Sequence, residues 1–250
     1  MEMSKQVEFF ITDFRGFYEE VNKQIRNKED IIRILLLSIK GLLLKDEIGN
    51  EDKGEVNIVI EKSSRIYFTC KRPNELPYKY YSFVFPFFLE RDDQEKWNVK
   101  CKTSQEVIDS ELVDYLLVLL EKGWFSDDNI NLDDIDKFAC DYLCVVEEYY
   151  SAKNINKEQK EDIGIRHWSI IKNLLTFEPG YIRYDYDPDP SRKNEYTHPL
   201  NHLDVHYNTN GTFKLGFDKD IKIKDRLDFN IFKDILDNGK SRSGTCYKLK

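Results

Sequence analysis

Little in this sequence points to covalent stapling, to a phosphate loop or to a membrane. Five cysteines are present among 250 residues, at Cys70, Cys101, Cys140, Cys144 and Cys246, with no CxxC pair. That scatter excludes a disulfide framework and suits a reducing compartment. Cys140 and Cys144, four apart on an expected helix, read as small buried hydrophobes rather than half a metal site. The glycines stand singly, and neither GxGxxG, a Walker pattern nor a GxSxG elbow occurs. This argues against a nucleotide-hydrolysing motor or a serine hydrolase within the chain. The most hydrophobic run, Ile31 to Leu44, is too short for a bilayer and carries Arg33, Ser38 and Lys40. It reads as a core helix. The opening residues Met1 to Gln6 lack the charged-then-apolar order of a signal peptide. The expectation is a cytoplasmic protein with no membrane association.

Positive charge is also short. Thirty-eight basic residues face 46 acidic ones, a net −8. A uniformly basic nucleic-acid binder is excluded, but local basic patches are not. Such patches occur at Lys62 to Arg65, at Lys71-Arg72 and from Lys219 to Arg226. Lys79-Tyr80-Tyr81 interleaves a cation with rings on which bases could stack, although solvated loops account for the same residues.

The apolar fraction is 40% and the aromatic fraction 14%, enough for a sizeable core. Val7, Phe10, Ile11, Phe14, Phe17 and Val21 recur at helical steps and predict an opening amphipathic helix; Ile31–Leu44 predicts a second. Alternation then predicts strands at Val56–Ile60, Ile66–Cys70, Tyr78–Leu89 (interrupted at Pro86) and Trp97–Lys102, joined as an antiparallel meander. Thr103 and Glu106 have capping-box spacing for a helix carrying Ile108, Leu112, Tyr115, Leu116 and Leu119, stopped by Gly123. Further helices are expected around Ile135–Val146 and from Lys157 to Leu175. In the latter, His167 falls in an apolar stripe, as a satisfied core histidine would. Strands follow at Tyr181–Asp187, His202–Tyr207 and Thr212–Phe217, the last two joined by the hairpin signal Asn208-Thr209-Asn210-Gly211. A helix from about Asp225 to Leu236 closes the chain. The fold class is α+β: N-terminal helices, an antiparallel meander, central helices, a C-terminal hairpin sheet and a closing helix. Residues 1–250 read as one domain, with possible sub-layers at 1–150 and 158–238 and a loose tail at 239–250.

The chemistry concentrates in the last third. Three of the four histidines, His198, His202 and His206, lie within nine residues. Upstream, Arg183, Asp185 and Asp187 alternate with Ile182, Tyr184 and Tyr186. On strands, the arginine and aspartates would share one face, and so would His202, Asp204 and His206. If those faces coincide, the set suits either of two chemistries. Asp185, His202 and His206 can hold a divalent metal with open positions. Alternatively, histidine and aspartate act as acid and base while Arg183 stabilises phosphate charge. A solvated strand face is the plain alternative.

The blocks Arg183-Tyr184-Asp185-Tyr186-Asp187-Pro188 and His198-Pro199-Leu200-Asn201-His202-Leu203 resemble an uncharacterised bacterial domain family. Its members are encoded beside a helicase in two-gene anti-phage defence loci. The closing segment from Asp228-Phe229 to Ile235 is similar too, whereas Phe213–Phe217 lacks the arginine-isoleucine-proline that members often carry. The resemblance spans about Pro179 to Leu236 and matches at Asp185, Asp187, His198 and His202. It implies a defence role and a helicase partner, but no reaction. Taken with the residues, it leads to an expected nucleic-acid-processing, phosphodiester-cleaving effector. Asp185, His198 and His202 would stand at the site, with Arg183 neutralising phosphate and His206 at the margin. The rival expectation is a non-enzymatic adaptor or sensor that binds the helicase, nucleic acid or a phage protein.

Overall fold

The computed structural model describes residues 6–11, 16–44, 55–61, 64–71, 74–75, 77–94, 96–102, 104–126, 142, 144, 147, 150, 156–187, 189–193, 200–208, 211–216 and 228–236. The class is α+β, with antiparallel sheets and helices at both ends of the chain. The chain divides into two compact units. The first comprises Met1–Gln24, Asp46–Phe85 and Glu178–Lys250; the second comprises Ile25–Lys45 and Pro86–Phe177.

The first unit opens with strand β1 (Gln6–Ile11), not with the expected helix. Val7, Phe9 and Ile11 alternate as well as any helical reading of this stretch, and pairing opposite Ile60, Ile58 and Val56 decides between the two. Helix α1 (Phe17–Asn22) follows Gly16, whose φ of 75° turns the chain. In the second unit, α2 (Lys28–Leu43) starts on an Asn27/Asp30 capping box, ahead of the expected start at Ile31.

Back in the first unit, β2 (Glu55–Glu61), β3 (Arg65–Lys71) and β4 (Lys79–Val84) form the expected meander. Pro86 ends it. The aromatic run resumes as β5 (Phe87–Arg91) in the second unit, where it pairs with β6 (Trp97–Cys101), itself paired with β7 (Val107–Ile108). Helix α3 (Ser110–Glu121) is capped by Asp109, whose carboxylate accepts the Leu112 amide at 2.8 Å. The Thr103–Glu106 spacing therefore marks no helix start, although Leu112, Tyr115, Leu116 and Leu119 are buried as expected.

Most of the expected 135–146 helix lies outside the described residues; Tyr142, Cys144, Glu147 and Tyr150 are helical. Cys144 is exposed, not buried as expected, because its position faces away from the turns that bury Tyr142 and Tyr150. Helix α4 (Lys157–Thr176) begins on an Asn156/Gln159 capping box. Its His167 is half-buried, and the Tyr150 hydroxyl lies 2.8 Å from Nδ1. No helix among the described residues is long and apolar enough to cross a membrane.

The chain then returns to the first unit as β8 (Tyr181–Tyr186), β9 (Asn201–Asn208) and β10 (Gly211–Gly216), closed by α5 (Phe229–Leu236). The complete sheet runs β1-β2-β3-β4-β8-β9-β10, every neighbouring pair antiparallel. β4 and β8, some hundred residues apart in sequence, are thus neighbours at its centre. One face buries Val59, Tyr67, Tyr80 and Tyr184 under Phe232 of α5, with Phe229, Ile182, Tyr186 and Leu203 packed around them. The opposite face carries the polar residues.

Candidate functional site

Strand register alone brings the expected residues together. Asp185 lies opposite His202, Arg183 opposite Asp204 and Tyr181 opposite His206. On the other side, Lys79 lies opposite Asp185 and Tyr81 opposite Arg183; Cys70 is in turn opposite Lys79. Alternation makes these residues one continuous face. The two polar faces inferred from the sequence therefore coincide.

At its centre Arg183 bridges two carboxylates. Its Nε donates to Asp185 Oδ2 at 2.6 Å and its Nη2 donates to Asp204 Oδ2. The His202 Nε2 stands 3.6 Å from Asp185 Oδ2 and 3.8 Å from Asp204 Oδ1. The side chain of His202 is 1% exposed, that of Asp204 9%, Arg183 12% and Asp185 22%, so Asp185 forms the open edge of the cluster. Burial alone would lower the Arg183 pKa, but Tyr181, Asp185 and Asp204 outweigh it and hold the guanidinium charged well above its ordinary range.

The surrounding wall is aromatic. Tyr81 stacks on Phe68 with centroids 4.5 Å apart, and Tyr181 meets Tyr81 at 5.9 Å. Burial raises the pKa of both phenols, so each stays protonated. The buried Tyr181 hydroxyl interacts with the Arg183 guanidinium, which opposes the rise. The Tyr81 hydroxyl, fully buried, meets no hydrogen-bond partner among the described residues.

Lys79 is buried as well. Its Nζ donates to the Val21 carbonyl at 2.8 Å and the Lys23 carbonyl at 3.3 Å, tying the end of α1 to the sheet. Desolvation lowers its pKa. The Lys79-Tyr80-Tyr81 stretch is therefore interior structure and not a surface track for a nucleic-acid strand. Beside it, burial pushes the Cys70 thiol from 9.0 up to about 12. A raised thiol pKa adds stability that is complete below pH 9 and is lost as the pH climbs through about 12. Native protein at pH 8 should accordingly leave Cys70 unmodified by maleimide while exposed Cys144 reacts; peptide mapping after a timed pulse reads both. Labelling of Cys70 at the Cys144 rate would show that this region opens readily.

The other expected residues are placed differently. His206 lies one register step along, its ring 4.9 Å from Tyr181, outside the Asp185–His202–Asp204 group, and burial lowers its pKa. Asp187 works in the turn: its Oδ1 accepts the Asp189 amide at 3.0 Å and its own amide donates to the Leu200 carbonyl. His198 lies outside the described residues. Asp204 belongs at the centre, a role that its place between His202 and His206 already signalled. Lys79, Tyr81 and Cys70 carried no local signal, because only the β4–β8 pairing brings them in.

The cluster offers an imidazole, two carboxylates and a guanidinium in a largely water-excluded setting. Such a set can move protons, orient an anion or hold a divalent cation. Comparison of the chain with protein-family models, with curated proteins and with solved structures finds no match in any of the three.

Proposed function

We propose that this chain is the nucleic-acid-processing effector of a cytoplasmic anti-phage defence pair, cleaving phosphodiesters at the Arg183–Asp185–His202–Asp204 cluster and working with a helicase. One observation carries the chemical part: four polar side chains from two strands converge on one sheet face, beside buried Lys79, Cys70 and a wall of rings. Burying such groups costs several kcal/mol per ion, and apolar residues of similar volume fill a core at least as stably. Such a cluster is weak evidence for stability and points to chemistry. Water adds its oxygen to phosphorus, the ester P–O bond breaks, and the proton removed from water must find a base while the departing oxygen gains one. His202 and Asp185 are the groups at hand for this, either taking and giving those protons directly or holding a cation whose bound water gives up its proton more readily. Defence context and helicase partner rest on the sequence resemblance around Arg183–Leu203.

The net −8 charge implies weak affinity for nucleic acid by the chain alone, so the helicase would deliver an unwound strand. The test is a cleavage assay on single- and double-stranded DNA and RNA, with and without the helicase from the same locus, in Mg2+, Mn2+, Zn2+ or EDTA. Asp185→Asn is expected to lower cleavage by about 100-fold or more, with only a small fall in melting temperature because Asp204 still pairs with Arg183. No cleavage under any condition would reject the reading. The adaptor reading draws on the closure of the Arg183 network on both its carboxylates. It expects His202→Ala to weaken helicase binding with no cleavage at any metal.

A further inference from the structure

We propose that Asp185, His202 and Asp204 form a three-ligand site for one divalent first-row cation, Mn2+ or Zn2+, with Arg183 orienting the carboxylates from outside it. One ligand atom from each of the three residues lies within 4.8 Å of the others. Ligands about 2.0–2.2 Å from a tetrahedral cation stand about 3.3–3.6 Å apart. The observed 3.6 and 3.8 Å from His202 Nε2 to the two carboxylates need only a slight contraction.

At Asp185, Arg183 bonds the same Oδ2 that faces His202, so a cation there uses that oxygen's second lone pair or Oδ1; at Asp204 it divides the oxygens. It takes Asp204 Oδ2 and leaves Oδ1 as the oxygen nearest His202. A hydrogen-bonded carboxylate held in this way is the usual support around a metal ligand. The Tyr81 hydroxyl supplies a second, independent sign. It is fully buried on the same face, opposite Arg183, with no partner among the described residues, as a group awaiting a cation-bound water would be. Access is through Asp185, the most exposed member.

The donor set selects the ion. One imidazole and two carboxylates suit Mn2+ or Zn2+, whereas Ca2+ asks for six to eight oxygens. Three protein ligands of a tetrahedral cation leave one position, for a water or a phosphate oxygen. Charge gives the site its purpose. Two carboxylates against the Arg183 guanidinium and Lys79, across from Asp185, leave the face close to neutral, with no surplus positive charge to draw a phosphate; a divalent cation supplies it. This use of the cation rests on the phosphodiester reading, but its binding does not.

The experiment is metal uptake by the full, tag-free chain after chelator treatment, Mn2+ by electron paramagnetic resonance and Zn2+ by competition with a chromophoric chelator. One saturable cation per chain is expected. Asp185→Asn and Asp204→Asn should each weaken it about tenfold or more, with far-UV circular dichroism unchanged. His206→Gln should bind as the wild type does. No uptake of either ion by the wild type overturns the site, as does an Asp185→Asn chain that binds equally well. Cleavage undiminished in EDTA also overturns it while sparing the phosphodiester reading. A chain that binds the cation and never cleaves does the reverse.

Discussion

Arg183→Leu is expected to destabilise the first unit by about 3–5 kcal/mol, because it leaves two carboxylates facing each other with only Lys79, across from Asp185, as a counter-charge. The guanidinium is 12% exposed and bonded to Asp185 and Asp204, so solvent screens little of what is removed. Leucine restores none of the hydrogen bonds and exposes Tyr181 to poorly compensated negative charge. Adding Asp204→Asn should recover a large part of the loss, and the double-mutant cycle then measures the coupling. Urea titration followed by near-ultraviolet circular dichroism in the tyrosine band is the appropriate probe, because Trp97, Trp124 and Trp168 all belong to the second unit. A variant within about 1 kcal/mol of wild type at pH 8, the range of a solvent-screened pair, would mean that the network is not holding these strands together.

That cluster was legible in sequence to the extent that it is local. Alternation over Tyr181–Tyr186 and His202–His206 placed Arg183, Asp185, His202 and Asp204 on strand faces, and only the meeting of those faces had to be assumed. The partners on β4 and β3 were out of reach. Nothing near Lys79 announces that its neighbour is Asp185, because a long-range antiparallel pairing depends on the whole sheet order. Lys79-Tyr80-Tyr81 consequently read as a surface pattern, when a strand buried on both faces is what loses the polar-apolar alternation. The opening strand failed differently. Val7 to Ile11 is too short for period two and period 3.6 to be told apart, and the available partner, β2, decided. Thr103–Glu106 and Asp109 were competing caps of plausible spacing; Val107–Ile108 pairs with β6 and so hands the helix start to Asp109.

Phe232→Ala should cost about 3–5 kcal/mol, as other large aromatic truncations in a packed core do. Phe232 is 1% exposed, edge-on to Tyr67 at 6.4 Å and stacked near Tyr80 at 6.1 Å, with Tyr184 in the same cluster. Alanine leaves a hole that those rings, fixed on β3, β4 and β8, cannot close without moving the strands. The same strands carry Lys79, Tyr81, Arg183 and Asp185 on their other face, so the cavity should loosen the polar cluster as well as the core. Phe232→Leu, which keeps most of the volume, should lose about 1–2 kcal/mol. The contrast with Asp185→Asn is the useful one. The core variant should lower melting temperature and metal uptake together, whereas the site variant should lower uptake with a much smaller change in melting temperature. If Phe232→Ala melts as the wild type does, α5 is not what closes that face of the sheet.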